Sequence, residues 1–128
     1  MAKRPELHQQ YRGFLEAVNH NQHVPARLLD LCRARIELIH GLPVSVSMDA
    51  ETVKAITQGD MTSFTSAEQA ALVVAERMPY QHHELADEEV ATVREALGDA
   101  GCVVLLTALA FHDVNCRLRL TFGDTETA

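Results

Sequence analysis

Aromatic side chains are scarce in this chain: four Phe, two Tyr and no Trp make up 5% of 128 residues. The apolar content, 47%, comes mainly from Ala, Leu and Val. That balance disfavours a sandwich of aromatic-rich strands and suits packed helices. Cysteine is also sparse. Cys32, Cys102 and Cys116 form no short-range pair, and an odd number at wide spacing argues against a disulfide framework. If Cys102 and Cys116 share one helix, they lie about 21 Å apart at the helical rise, too far to bridge. Long hydrophobic runs are missing. CVVLLTALAF, residues 102–111, is about half of what a membrane span requires. The opening MAKRPELHQQY holds no apolar run of the kind that marks a signal peptide. The expectation is a soluble, cytoplasmic protein with no membrane partner.

Positive charge is in deficit too. The formal net charge is −7, and only Lys3 and Arg4 are locally basic. An acidic chain with scattered Arg is a poor ligand for a phosphate backbone, so no nucleic-acid partner is expected. No stretch alternates as a strand would, and there is no repeat or low-complexity segment.

What is present is helical patterning. Pro5 opens a first helix with Leu7, Tyr11, Phe14, Leu15 and Val18 on one side, fraying near Asn19–Asn21. Pro25 opens a second, striped by Leu28, Cys32, Ile36 and Ile39. Gly41 sits where a left-handed cap belongs, and Pro43 blocks continuation. Ser47 or Asp49 caps a third helix that runs to about Thr57. Thr65-Ser-Ala-Glu68 reads as a capping box. A further helix, EEVATVREAL, closes at Gly98. Asp99 then caps the last helix, which is apolar on all sides from Cys102 to Phe111 and so is expected to be the central buried one. The fold expected is an all-α, single-domain bundle of about six helices. Residues 1–24 form an N-terminal helix, 25–122 the core domain and 123–128 a loose tail.

Several residues invite a chemical reading, each beside a plainer one. Asp30 and Glu37 share one helix face, which periodicity alone makes a solvated face. Arg35 falls near the apolar side of its helix and demands a carboxylate partner. His40, Ser45 and Asp49 have the residue types of a nucleophile, base and orienting acid, but Ser47 and Asp49 also serve simply as caps. Cys32 lies on an apolar stripe, where a thiol acts as a small hydrophobe unless it is redox-active. His112 stands where the last helix turns polar and can line a cavity or be a satisfied core histidine. The pairs His20/His23 and His82/His83 lack the further ligands a zinc site wants, so no metal is expected. Asp113 and Arg117 are spaced to pair along the helix.

Two segments carry a resemblance. LLDLCRARIELIHGLPVSVSMDAE (28–51) looks like a helix, Gly turn and redox-helix start. FTSAEQAALVVAERM (64–78) followed by GDAGCVVLLTALAFHDVNCRL (98–118) looks like the matching later helices. In that order they resemble the alkyl hydroperoxidase D / carboxymuconolactone decarboxylase superfamily. The redox branch carries a Glu upstream of Cys-x-x-Cys-x-x-x-His, because a thiolate at a helix N-terminus is nucleophilic and a second Cys resolves it. Aligned through Arg35 and Gly41, the two Cys fall on Leu42 and Ser45, the His on Asp49 and the Glu on Asp30. The dithiol cycle has no sulfur here.

The resemblance therefore implies a divergent member that binds a small molecule or a protein as a homo-oligomer, a trimer or hexamer. Its pocket lies around Asp30, Glu37, His40, Leu42, Ser45, Asp49 and His112, and no cofactor is implied. An acid–base enzyme of the decarboxylase type is the alternative, with His40 or His112 as base and Asp30 or Asp49 orienting it. Residual thiol peroxidase activity through Cys32 is a further one.

Overall fold

The computed structural model describes residues 5–123, so the basic Lys3–Arg4 start and residues 124–128 of the expected tail lie outside the described residues. Five α-helices follow one another: α1 (Pro5–Asn19), α2 (Ala26–Ile39), α3 (Ala50–Gln58), α4 (Ser66–Arg77) and α5 (Asp87–Phe122). A short 3-10 turn, His82–Glu84, precedes α5. No strand occurs among the described residues.

The local signals work as their chemistry dictates. Asn21 Oδ1 accepts from the backbone N–H of His23 and Val24 at 2.7 and 2.6 Å, turning the chain from α1 into α2. Pro25 stands just before α2 in extended geometry. At the other end Gly41 has φ 75°. The Leu42 N–H reaches Glu37 O at 2.9 Å and the Gly41 N–H reaches Leu38 O at 3.0 Å, which together satisfy the last carbonyls of α2. The Thr65–Glu68 capping box is present in both directions, at 3.2 and 2.9 Å. Gln69 then ties the loop before α4 by donating to the carbonyls of Met61 and Phe64, each at 3.0 Å.

The central helix is α2, not the last one. Leu31, Cys32, Ala34, Ile36 and Glu37 are all fully buried. This helix packs against α3, α4 and α5, and α4 packs against α5. One side of α5 buries Cys102, Leu105, Ala108, Leu109, His112 and Cys116, while Val103 and Val114 on the other side are 65% and 52% exposed. An all-round apolar sequence marks a helix that wants cover on every side. Within one chain α5 receives it on only one.

α5 joins two helices: the one foreseen to close at Gly98 and the one foreseen to start at Asp99 meet at a kink, where the Gly98 backbone is not helical, with φ 77° and ψ 173°. Asp99 pairs with Arg94 at 3.2 Å. By length and composition this helix passes for a membrane crossing, with a third of its most apolar window buried inside the protein.

Candidate functional site

The polar residues that matter lie where α2, α5 and the segment after Gly41 meet. From Leu42 to Met48 the chain is not yet helical. Leu42, Val44, Val46 and Met48 pack on the core, while Pro43, Ser45 and Ser47 are exposed, Ser45 with its hydroxyl turned in to Glu37. Two β-branched valines and a proline favour this extended strap. Ser47 or Asp49 is the expected cap of the third helix. In the structure it opens at Ala50, and Asp49 is its N-cap, accepting from the Thr52 N–H at 2.8 Å. Those bonds from Thr52 hold the Asp49 carboxyl below its ordinary range.

Glu37 ties the strap down. It is fully buried, which corrects the expectation of a solvated face shared with Asp30. Its Oε1 accepts from the Ser45 backbone N–H at 3.0 Å, and its Oε2 accepts from Ser45 Oγ at 2.6 Å. Arg119, reaching in from α5, donates to the same Oε2 at 2.9 Å. Arg33 Nε stands 3.6 Å away, one helical turn back on α2. A buried carboxylate is tolerable only with such partners. Arg119 is one of the polar residues that follow the apolar run of α5, and it sits seven residues after His112, two turns along the same side of the helix.

A second cluster forms around His40, whose side chain is fully buried. Its Nε2 lies 2.6 Å from Asp113 Oδ1, and its Nδ1 lies 3.2 Å from the Tyr80 hydroxyl. Arg117 donates from Nε to Asp113 Oδ2 at 3.1 Å, as the i,i+4 spacing foresaw, and its guanidinium lies over the Tyr80 ring at 5.2 Å. With Asp113 ionised, a neutral His40 presents Nε2–H to the carboxylate and its Nδ1 lone pair to the phenol.

The anticipated grouping of His40, Ser45 and Asp49 is therefore not assembled. His40 is bound to Asp113 and Tyr80, Ser45 to Glu37, and Asp49 to its own helix. Neither Asp30 nor Asp49 orients His40; Asp113 does. Asp30 is half-buried, and burial pushes its carboxyl upward against the opposing pull of Arg33. Leu42 is half-buried apolar surface. Arg35 pairs with Glu76 at 2.8 Å, the structural reading of that residue. No family model, curated protein or solved structure matches this chain.

Cys32 is buried, and burial drives its thiol far upward with Glu68 adding to the effect. Cys116 is pushed up to about 12 by burial, with the Glu37 charge adding. Neither thiol is a thiolate near neutral pH. Tyr11 from α1 donates to Asn115 of α5 and closes the top of this region. Beneath it His112 is 2% exposed with neither ring nitrogen hydrogen-bonded, and burial holds it down at about 4. Among the described residues no group of three or more His, Cys, Asp or Glu is placed to hold a metal ion.

Proposed function

We propose that this chain is a self-associating helical protein that binds a small molecule, built on the alkyl hydroperoxidase D / carboxymuconolactone decarboxylase plan without its thiol cycle. The observation that carries the reading is Glu37. At the place where the resemblance puts the second redox sulfur stands Ser45, and its amide and hydroxyl are both committed to a buried carboxylate that also holds Arg119. A hydroxyl held in this way is part of an anchor and is not presented to a substrate. Cys32, the remaining thiol on α2, is fully buried with its proton firmly held.

Peroxide consumption in the presence of a thiol reductant tests this. The expected rate equals that of the reductant alone and is the same for Cys32→Ser. A protein-dependent rate that disappears in Cys32→Ser would overturn the reading.

Self-association is supported by α5. Val103, Thr107, Ala110 and Val114 recur at helical spacing and are all exposed, an uncharged stripe running the length of three turns. Phe14, Val18, Val103, Val104 and Thr107 line an apolar groove beside it, between α1 and α5. A trimer or its doubling is the assembly the resemblance implies.

A second reading is favoured by the Asp113–His40–Tyr80 alignment. An imidazole oriented by a carboxylate and facing a phenol is equipped to move a proton. This is the acid–base reading, with Asp113 in the orienting role. Carbon dioxide release from a lactone acid, lost in both His40→Gln and Tyr80→Phe, would support it; turnover unaffected by either substitution would end it.

A further inference from the structure

Tyr80 contrasts with the residue behind it. It is 59% exposed, whereas the His40 side chain is wholly buried. The Tyr80 hydroxyl lies 3.2 Å from His40 Nδ1, and the two rings are 5.4 Å apart between centres and inclined by 57°. On the far side of the imidazole, Nε2 is 2.6 Å from Asp113 Oδ1. Asp113 Oδ2 accepts from Arg117 Nε. A carboxylate at Nε2 places the imidazole proton there and leaves the Nδ1 lone pair for the phenol. The three groups come from separate parts of the chain: His40 just after α2, Tyr80 in the turn after α4, and Asp113 within α5.

Arg117 holds the phenol from another direction. Its Nη2 donates at 2.5 Å to the carbonyl of Pro79, the buried residue just before Tyr80. Its guanidinium carbon lies 5.2 Å from the centre of the Tyr80 ring. A cation over the ring is placed to offset negative charge that develops on it.

We propose that Tyr80 is a nucleophile, its phenol oxygen a site of acylation by activated acyl donors. The inference goes beyond the acid–base reading above, in which His40 acts on a bound acid; here the reacting oxygen belongs to the protein. Tyr80 Oη bonds to the acyl carbon while its proton passes to His40 Nδ1, and Asp113 at Nε2 steadies the imidazolium so formed. The bond from the acyl carbon to the leaving group then breaks, and the leaving group takes the proton from His40. The step is a substitution and needs no oxidant or reductant. Its product is an aryl ester on Tyr80. A phenolate is a weaker base than an alkoxide, so alkyl esters are disfavoured donors. Aryl esters, whose leaving group is itself a phenolate, are the class that fits.

The test treats the full chain with p-nitrophenyl acetate at neutral pH. After an acid quench, mass spectrometry locates acetyl groups on the tryptic peptide 78–94. N-acetyltyrosinamide in the same solution gives the rate of a phenol with no base beside it. Tyr80 should acetylate at least about a hundredfold faster than this reference, the scale of a positioned base. The rate should fall to that of the reference in His40→Gln and in the wild type unfolded by urea. Unfolding makes a tyrosine more accessible, so accessibility alone predicts the opposite change. Tyr80→Phe, a substitution at an exposed position, should fold and carry no acetyl on that peptide. If His40→Gln does not fold, the urea comparison decides. Tyr80 acetylation no faster than the reference, a rate unchanged by unfolding, or wild-type acetylation in folded His40→Gln would overturn the proposal. None of these outcomes bears on peroxide consumption or on carbon dioxide release, so the proposals fail separately.

Discussion

Glu37 and His112 pose the same physical problem and meet it differently. Each is a titratable side chain taken almost wholly out of water. Glu37 is surrounded by donors, whereas His112 gives up its charge. The consequence for His112 is a dependence of stability on pH. In the unfolded chain it takes up a proton as pH falls through 6.5; in the fold it resists until about 4. Between those values the unfolded state binds more protons, so stability declines as pH falls and levels off below about 4. The full loss is on the order of 3 kcal/mol.

His112→Leu removes this contribution. Urea denaturation at neutral pH and at about pH 4.5 should show the wild type losing more stability than the variant. Asp30, whose carboxyl is raised, acts in the opposite sense but is common to both proteins. Equal losses in the two would contradict the assignment. At this scale the sequence was only partly legible. Asp113–Arg117 and Arg35's need for a carboxylate followed from spacing and burial. Glu37 misled because a helical stripe cannot show that a second helix will cover its opposite face. Tyr80 and Asp113 reach His40 from distant parts of the chain, a meeting that no local pattern encodes.

Among the elements, the termini were the most readable parts. The Thr65 box, the Gly41 cap and the Asp49 cap each depend on a few consecutive residues, and each stands where those residues put it. The strap from Leu42 to Met48 was harder to see, because its alternation is only a few residues long and is bracketed by helices. Gly98 ends one helix and the next begins just after it, as a glycine between two helical patterns indicates. Its φ of 77° with ψ of 173° belongs to a region that only glycine occupies readily. A Cβ at this position would touch nothing within 4 Å, so substitution is opposed by the backbone alone. Gly98→Ala is expected to lower stability by about 1–3 kcal/mol in chemical denaturation. A variant as stable as the wild type would mean that α5 is not broken there.

For the whole molecule, the question is what covers α5. A helix apolar on every side became central in expectation, yet α2 took that position because α3, α4 and α5 all pack on it. The sequence could reveal the apolar character of α5 but not how many neighbours one chain would supply. The exposed Val103–Val114 stripe is the remainder, and a second copy is the partner proposed for it. Light scattering after gel filtration should give the wild type a multiple of the monomer mass, and Val103→Glu or Val114→Glu should reduce it. A monomeric wild type would contradict this.

The account as a whole turns on Glu37 as the buried ionic anchor between α2, the strap and α5. Its most direct test is a double-mutant cycle, with stability measured for the wild type, Glu37→Ala, Arg119→Ala and the double variant. Removing the buried carboxylate that Ser45 and Arg119 share should make Glu37→Ala costly by roughly 3–5 kcal/mol, and the double variant should lose less than the sum of the two single variants, a coupling of at least about 1.5 kcal/mol. Losses that simply add in the double variant would contradict it.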